Sequence, residues 1–270
     1  MSFNYETNLW GQGTADSKLT DPASFRLRQC FRAFANLPAN SKILEVGCGG
    51  GQFIRALKKK SPAFSCFGCD ISEKAITAAK QANDNVAYEI CAEKLPYADN
   101  SFDGLMALDV LEHVASPTAL VEEIHRVLKP GGIFYLFVPC EGDGLSLWFW
   151  LEEFGLKNDL TKKFAGHVNY FSRAEVEKLF PKDKFSFVRK RYGEHIVGQL
   201  SGVAAFWMMS RAEKRGLGAL NNEAYFNRLE EKGGRPVRVL KKIFNLAINL
   251  ESTLFARLPS PNMHLVLKKI

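Results

Sequence analysis

The sequence has no uninterrupted run of the ~18 apolar residues that a membrane-spanning helix requires. Its longest candidate, Ile196 to Met209, is shorter and holds Gln199 and Ser201. Met1 to Glu6 lacks a basic region leading into an apolar run, so no secretory leader is expected. No Arg/Lys block is dense enough to read as a nucleic-acid tail. A formal charge of +7 still favours anionic partners, among them acidic lipid or an acidic metabolite. Cys66-Phe67-Gly68-Cys69 has redox or metal spacing, yet no second pair completes a zinc site. In a strand, moreover, residues three apart point to opposite faces. The six cysteines therefore read as buried cytosolic thiols, and no metal is expected. Internal repeats and low-complexity tracts are also missing.

What is present is apolar material. A hydrophobic fraction of 46% over 270 residues supports a sizeable core and argues against disorder. The chain is organised around Ile43-Leu44-Glu45-Val46-Gly47-Cys48-Gly49-Gly50-Gly51. Its first half is apolar rather than alternating, which predicts a buried parallel strand over Lys42 to Val46. The glycines allow a tight turn whose bare backbone can approach a ligand. A helix from Gln52 follows, so free N–H groups are expected to point at negative charge.

Residues 1–20 read as an arm without a regular period, carrying Phe3, Tyr5 and Trp10. Asp21-Pro22 predicts a helix start. That helix is expected to end near Asn36, with Phe25, Cys30, Phe31 and Phe34 inward and Arg26, Arg28 and Arg32 towards solvent. Further strands are predicted at Ala63 to Cys69, Val86 to Ile90, Phe102 to Leu108 and Ile133 to Val138. Ser72 and Pro117 open helices, and the second is stopped by Lys129-Pro130-Gly131-Gly132. This alternation predicts a parallel, doubly wound sheet with right-handed crossovers.

Beyond Val138 the pattern changes. Leu145 to Gly155 is an aromatic-rich helical stretch, and Ser172-Arg173-Ala174-Glu175 is a capping box. Lys184 to Tyr192 and Met263 to Lys268 read as strands, with mainly helical signals between them. The expected organisation is an N-terminal arm and helix (1–40), a core (41–194), a helical insert (195–260) and a closing strand (261–270).

A dinucleotide fingerprint wants Gly-x-Gly-x-x-Gly. Counting from Gly47, the third glycine falls on Gln52, which disfavours an NAD(P)-dependent oxidoreductase. What stands instead is Glu45-x-Gly47-x-Gly49-x-Gly51, with Asp70 ending the next strand. Downstream come Cys91-Ala92-Glu93-Lys94-Leu95-Pro96-Tyr97-Ala98-Asp99-Asn100-Ser101-Phe102-Asp103, Leu111-Glu112-His113-Val114 and Leu128-Lys129-Pro130-Gly131-Gly132. In this order and spacing they resemble class I S-adenosylmethionine-dependent methyltransferases (methyltransferase type 11). The likeness is closest to the group containing the ubiquinone and menaquinone biosynthesis methyltransferases. It covers residues 40–140, and Gly166-His167-Val168-Asn169-Tyr170-Phe171-Ser172 echoes a further element of the group.

The resemblance implies an α/β fold: a Rossmann-like doubly wound seven-stranded sheet, mostly parallel with an antiparallel last strand. It also implies a helical insert between the last two strands. It implies S-adenosyl-L-methionine as cofactor, bound by residues drawn from Glu45, Gly47, Cys48, Gly49, Gly51, Asp70, Ile71, Ala92, Glu93, Leu108 and Asp109. Asp70 would meet the ribose hydroxyls, Ala92 the adenine, and Leu108 and Asp109 the sulfonium. Where members often have Asp, this chain has Cys91.

Methyl transfer needs an in-line nucleophile, and positioning with exclusion of water supplies much of the rate. An oxygen or carbon acceptor also has a proton to lose. His167 is the first candidate base and Asp109 the second, while Glu112 and His113 read as structural.

In the insert, Ile196 to Met209 is apolar nearly all round. From Pro236 on, Leu240, Phe244, Ala247, Leu254, Phe255 and Leu258 share a helical face behind Arg235, Arg238, Lys241 and Lys242. That fits peripheral membrane contact through residues 196–258, but a lid or extra layer burying both segments against each other, or a homodimer face, is the reading favoured over it. The apolar insert, with Trp148 and Trp150, points to a small amphiphilic or lipid-linked methyl acceptor. The expected location is cytoplasmic, at most peripheral at the inner face of the membrane. Rivals are a catalytically silent methyltransferase-like module and an RNA methyltransferase. Nucleic acid is not an expected partner, since no stacking surface or Asn-Pro-Pro-Tyr-like motif stands at Asp109-Val110-Leu111-Glu112.

Overall fold

The computed structural model describes residues 6, 9–13, 15–92, 94–156, 160–216 and 222–270. Strand β1 (Lys42–Val46) lies inside the sheet, with every residue after Lys42 buried. It is followed by α2 (Gln52–Lys60), β2 (Ser65–Asp70), α3 (Glu73–Gln81) and β3 (Ala87–Ile90). Then come β4 (Phe102–Leu108), α4 (Pro117–Val127) and β5 (Leu128–Pro139); α1 (Ser24–Phe34) precedes them all. The later elements are α5 (Leu147–Glu153), α6 (Leu160–Phe164), α7 (Arg173–Lys178) and β6 (Phe185–Gly193). The chain closes with α8 (Ile196–Lys214), α9 (Asn222–Leu254) and β7 (Asn262–Lys269).

Among the described residues the strands form one sheet of seven in the order β3-β2-β1-β4-β5-β7-β6. Strands β1 to β5 pair in parallel. Strand β7 runs antiparallel to both of its neighbours. The expected mostly parallel sheet with an antiparallel last strand is therefore observed. Its order reverses between β1 and β4, and at such a switch point α/β sheets bind ligands outside the carboxyl ends of their strands.

Alternation along the strands builds a core on each face. Leu105, Ala107, Phe134 and Leu136 pack with Leu120 and Ile124 of α4 and Val176 of α7. Met106, Tyr135 and Phe137 pack on the other face with Leu27 and Phe34 of α1 and Ile54 and Leu57 of α2. Near-continuous apolar strands are what a sheet covered on both faces requires.

Three local expectations are corrected. Helix α1 starts at Ser24 rather than Pro22, because Asp21 first closes a turn, its Oδ1 accepting from the Ala23 amide at 2.9 Å. Arg26 does not point to solvent; it pairs with Asp109 and Glu194, as described below. Leu128 to Gly132 does not merely stop α4. It is already the start of β5, with Leu128 paired to Phe102 and a register shift before Ile133 pairs with Gly104. Gly131, at φ 76°, supplies the left-handed residue that this irregularity uses.

Helices α8 and α9 lie between β6 and β7. Glu251 of α9 caps α8, accepting from the amides of Ile196 and Val197 at 2.8 Å each. Asn249 fastens α9 to the entry of α1. It accepts from the Phe25 amide at 2.9 Å and donates to the carbonyls of Leu19 and Asp21. Helix α9 breaks at Gly234 (φ 62°, ψ −145°), just before Arg235-Pro236, where the proline restarts the helix as its sequence position predicts. Among the described residues no helix is long and apolar enough to cross a membrane.

Candidate functional site

The glycine corner follows β1. Gly47, Gly49 and Gly51 all have positive φ, at 68°, 51° and 84°. At Gly47 a Cβ would also lie 2.5 Å from Cγ2 of Val110, so the corner demands glycine there twice over. Asp70 ends β2 and holds the corner. Its Oδ2 accepts from the Gly49 amide at 2.7 Å and its Oδ1 from Ser72 at 2.9 Å. Burial raises its pKa against those bonds. Glu45 is buried inside the corner, its Oε2 accepting from the Ile54 amide at 2.9 Å. Burial pushes its carboxyl up to about 8, and the nearby Asp70 adds to this.

The corner is not an anion cradle. The Cys48 amide donates to Cys69, Gly50 to Trp10 and Gly51 to Cys48, while Gly49 is held by Asp70. Four successive amides of the turn are thus committed within the protein, and the expectation of free N–H groups here is corrected. The sequence reading also missed what lies on top. The arm crosses the turn so closely that a Cβ at Gly50 would lie 2.6 Å from the Gly11 carbonyl. Trp10, Gly11 and Gly13 in an otherwise polar arm were the available signal.

Around the corner, Cys48 is buried and burial raises its thiol pKa well above the ordinary value. Ile71 is exposed beside Asp70. Cys91 is buried, its amide donating to the Asp70 carbonyl at 2.9 Å, and Ala92 beside it is exposed. Glu93 lies outside the described residues. Leu108 is buried at the end of β4, and Asp109 follows in the left-handed region at φ 54°, a strained place for a non-glycine residue. Asp109 faces Arg26, which also reaches Glu194 at 3.2 Å and lies over the Phe137 ring at 4.0 Å.

A second group lies next to Asp109. The loop carrying His167 is fastened onto the turn after β4. Val168 and Asn169 donate their amides to the Glu112 carbonyl at 2.8 and 3.0 Å. The Asn169 side chain donates to the carbonyls of Leu111 and Val114. His113 Nδ1 lies 3.2 Å from the Gly166 carbonyl. The two sequence motifs therefore close on each other, bringing Glu112, His113 and His167 together. Glu141 joins them, its Oε1 3.0 Å from Nδ1 of His167 as an ion-pair contact. Burial, then the neighbouring Asp109, pushes Glu112 up to about 8. Burial and then His167 lower His113 to about 4. His167 resists burial and rises to about 8, because Glu141, Glu112 and Asp109 surround it.

Residues 44–136 match the family model described as a methyltransferase domain. These residues are a methyltransferase domain. Over 109 residues the chain is 35% identical to cycloartenol-C-24-methyltransferase 1 of Oryza sativa subsp. japonica, which covers 38% of this chain and 31% of that relative. Over 110 residues it is 31% identical to the ubiquinone/menaquinone biosynthesis C-methyltransferase UbiE of Desulfotalea psychrophila, 40% of this chain and 45% of that one. The chain thus spans less than half the length of these curated relatives. The structure of the cyclase SpnF superposes with a TM-score of 0.58 over 97% of this chain and 85% of its own, at 17% identity. That likeness concerns the fold alone, and a cyclase on this fold illustrates that the reaction is decided elsewhere.

The methyltransferase domain supplies Glu45, the glycines, Asp70, Cys91, Leu108 and Asp109. Arg26, Glu141 and His167 come to its site from outside the matched residues. Arg26 and Glu141 were absent from the sequence-based list. Lys94 and Asp99 stay in a loop, where Asp99 pairs with Arg126 at 2.9 Å.

Proposed function

We propose that the chain is an S-adenosylmethionine-dependent methyltransferase acting on a small, amphiphilic or lipid-linked acceptor. The observation that carries this is Asp70. Its carboxylate stands at the carboxyl end of β2, beside exposed Ile71 and next to the switch point. Each oxygen accepts one backbone amide and keeps a further lone pair, so a ribose diol can still be bound. The committed turn amides disfavour a diphosphate in the same place and suit a ligand without one.

When bound, S-adenosylmethionine supplies a sulfonium-activated methyl group. Glu45 braces the turn from inside, Ile71 and Ala92 offer a surface for the adenine, and Leu108 with Asp109 closes the inner end. Arg26 engages Asp109, so the base role drawn from sequence falls to His167 rather than Asp109. His167 acts there in company with Glu112, His113 and Glu141.

The helical insert supports an amphiphilic acceptor. Leu240, Ile243, Phe244, Leu254 and Phe255 remain exposed on α9 and the segment after it, near Arg235, Arg238 and Lys242. Such a face suits an anionic membrane surface. Co-sedimentation with anionic vesicles at low salt tests this; no binding, or a salt-independent dimer that hides the same face, removes it. For the reaction itself, calorimetric titration with S-adenosylmethionine and with NAD+ is decisive. Binding of the first alone supports the reading, and binding of neither sinks it.

A further inference from the structure

We propose that Arg55 is a positioning residue: it latches the N-terminal arm onto the glycine corner and so holds the corner in the shape its ligand needs. Arg55 lies on α2, and its guanidinium reaches three separate segments. Nη2 donates to the Gly50 carbonyl at 2.6 Å, Nη1 to the Gly13 carbonyl at 3.2 Å and Nε to Oδ2 of Asp84 at 2.7 Å. These belong to the turn, the arm and the connection from α3 to β3. A planar guanidinium fixes all three directions rigidly, which an ammonium on a flexible stem does not. The Arg55 and Asp84 side chains are only 15% and 12% exposed, so water screens the pair weakly.

Both backbone groups of Gly50 are used. Its amide donates to the Trp10 carbonyl at 2.8 Å, while its carbonyl accepts from Arg55. The arm is therefore tied to one residue of the turn twice, directly at Trp10 and through Arg55 at Gly13. Asp84 extends the latch. The hydroxyl of buried Tyr88 donates to the same Oδ2 at 2.8 Å, and a Cβ on Gly51 would lie 2.5 Å from that hydroxyl. Asp84 thus links the group that holds Gly50 to the ring packed against Gly51.

The rest of the arm shows what the latch serves. Trp10 is only half-buried, and Gln12 and Gly13 are exposed. Hydrogen bonds rather than apolar burial hold this segment, which places its attachment among the weaker parts of the molecule. A second foothold is Glu6, whose carboxylate accepts from the amides of Glu73 at 2.9 Å and Lys74 at 3.2 Å. Asp70 joins the two footholds, accepting from Gly49 in the turn and from Ser72 at the start of α3. Burial chiefly, and the Glu6 carboxylate in part, raise the Asp70 pKa. The arm is thus fastened on both sides of the carboxylate assigned to the ribose. That assignment rests on the proposed function; the latch itself does not.

The test uses the full chain carrying Arg55→Met or Arg55→Lys. Asp84 keeps Tyr88 and the Val86 amide as donors in both, so each variant is expected to fold, and thermal melts check this. Affinity for S-adenosylmethionine, read by calorimetry, should fall about 10- to 100-fold in Arg55→Met and recover in part in Arg55→Lys. The loss should fall on KM for the cofactor and not on kcat, because Arg55 bonds to the turn and the arm rather than to the His167 group. Without cofactor, amide exchange at Gly11 and Gly50 in Arg55→Met should quicken together by about 10-fold while β1 and β4 stay protected. A lower melting temperature with unchanged affinity, or a loss carried by kcat alone, overturns the inference. Should the wild type bind no S-adenosylmethionine, the function falls and exchange decides the latch. Joint quickening at Gly11 and Gly50 then upholds it, and unchanged exchange overturns it.

Discussion

Arg26 Nη1 lies 2.6 Å from Oδ2 of Asp109, joining the first helix to the end of β4. The pair is partly wet, with side chains 26% and 37% exposed. It anchors a residue held at φ 54°, and Glu194 shares the same guanidinium. Replacing Arg26 by Met keeps much of the contact with Phe137 but leaves two carboxylates without their cation. We expect a loss of about 1–3 kcal/mol in a denaturant melt. Cofactor affinity should fall with it. An unchanged melt would show that Asp109 needs no partner.

Asp70 has two duties. Asp70→Asn keeps an oxygen for one backbone amide and removes the charge. Affinity for S-adenosylmethionine should fall by roughly 10- to 100-fold, corresponding to one charge-assisted hydrogen bond. Calorimetry measures it. Wild-type affinity in the variant would move the ribose away from β2.

Glu45 makes stability depend on pH. Its folded-state pKa, about 8, lies above the ordinary 4.5, because burial disfavours the charge. The folded state therefore keeps the proton longer than the unfolded chain. The stabilisation is complete below 4.5 and is lost as pH rises to 8. The slope is at most ~1.4 kcal/mol per pH unit. Glu45→Gln, neutral throughout, should remove this component from the stability-against-pH curve. A curve of the same shape in the variant would mean that Glu45 is ionised when folded.

Asn169 ties the His167 loop to the turn after β4 through two carbonyls. Asn169→Ala leaves those carbonyls short of a donor, for a cost of about 1–3 kcal/mol. Turnover should drop further than cofactor binding, because the loop carries His167 and the corner does not. Equal losses in both would show that the clamp serves folding only.

The parts legible in sequence are those whose physics is local. Glycine spacing announces the corner, since positive φ belongs to individual residues. The apolar runs announce β1 and β4, whose bounds the structure keeps. Ser172 and Glu175 announce the capping box, which is present. Arg26 was misread because helical periodicity sorts residues into apolar and polar faces. A charged side chain that crosses to another charge looks the same as one in water. Glu141 was invisible for a related reason: nothing local distinguishes a carboxylate aimed at a histidine from any other.

The α/β alternation, the corner after β1 and the order of motifs are all written along the chain. These follow from backbone conformation and from burial patterns written over a few residues. Where the turn amides go, which cation meets Asp109, and the convergence of Glu112, His113 and His167 emerge only on folding. Those outcomes depend on contacts between segments far apart in the chain. Register and packing set such contacts across the whole sheet, and no single stretch encodes them.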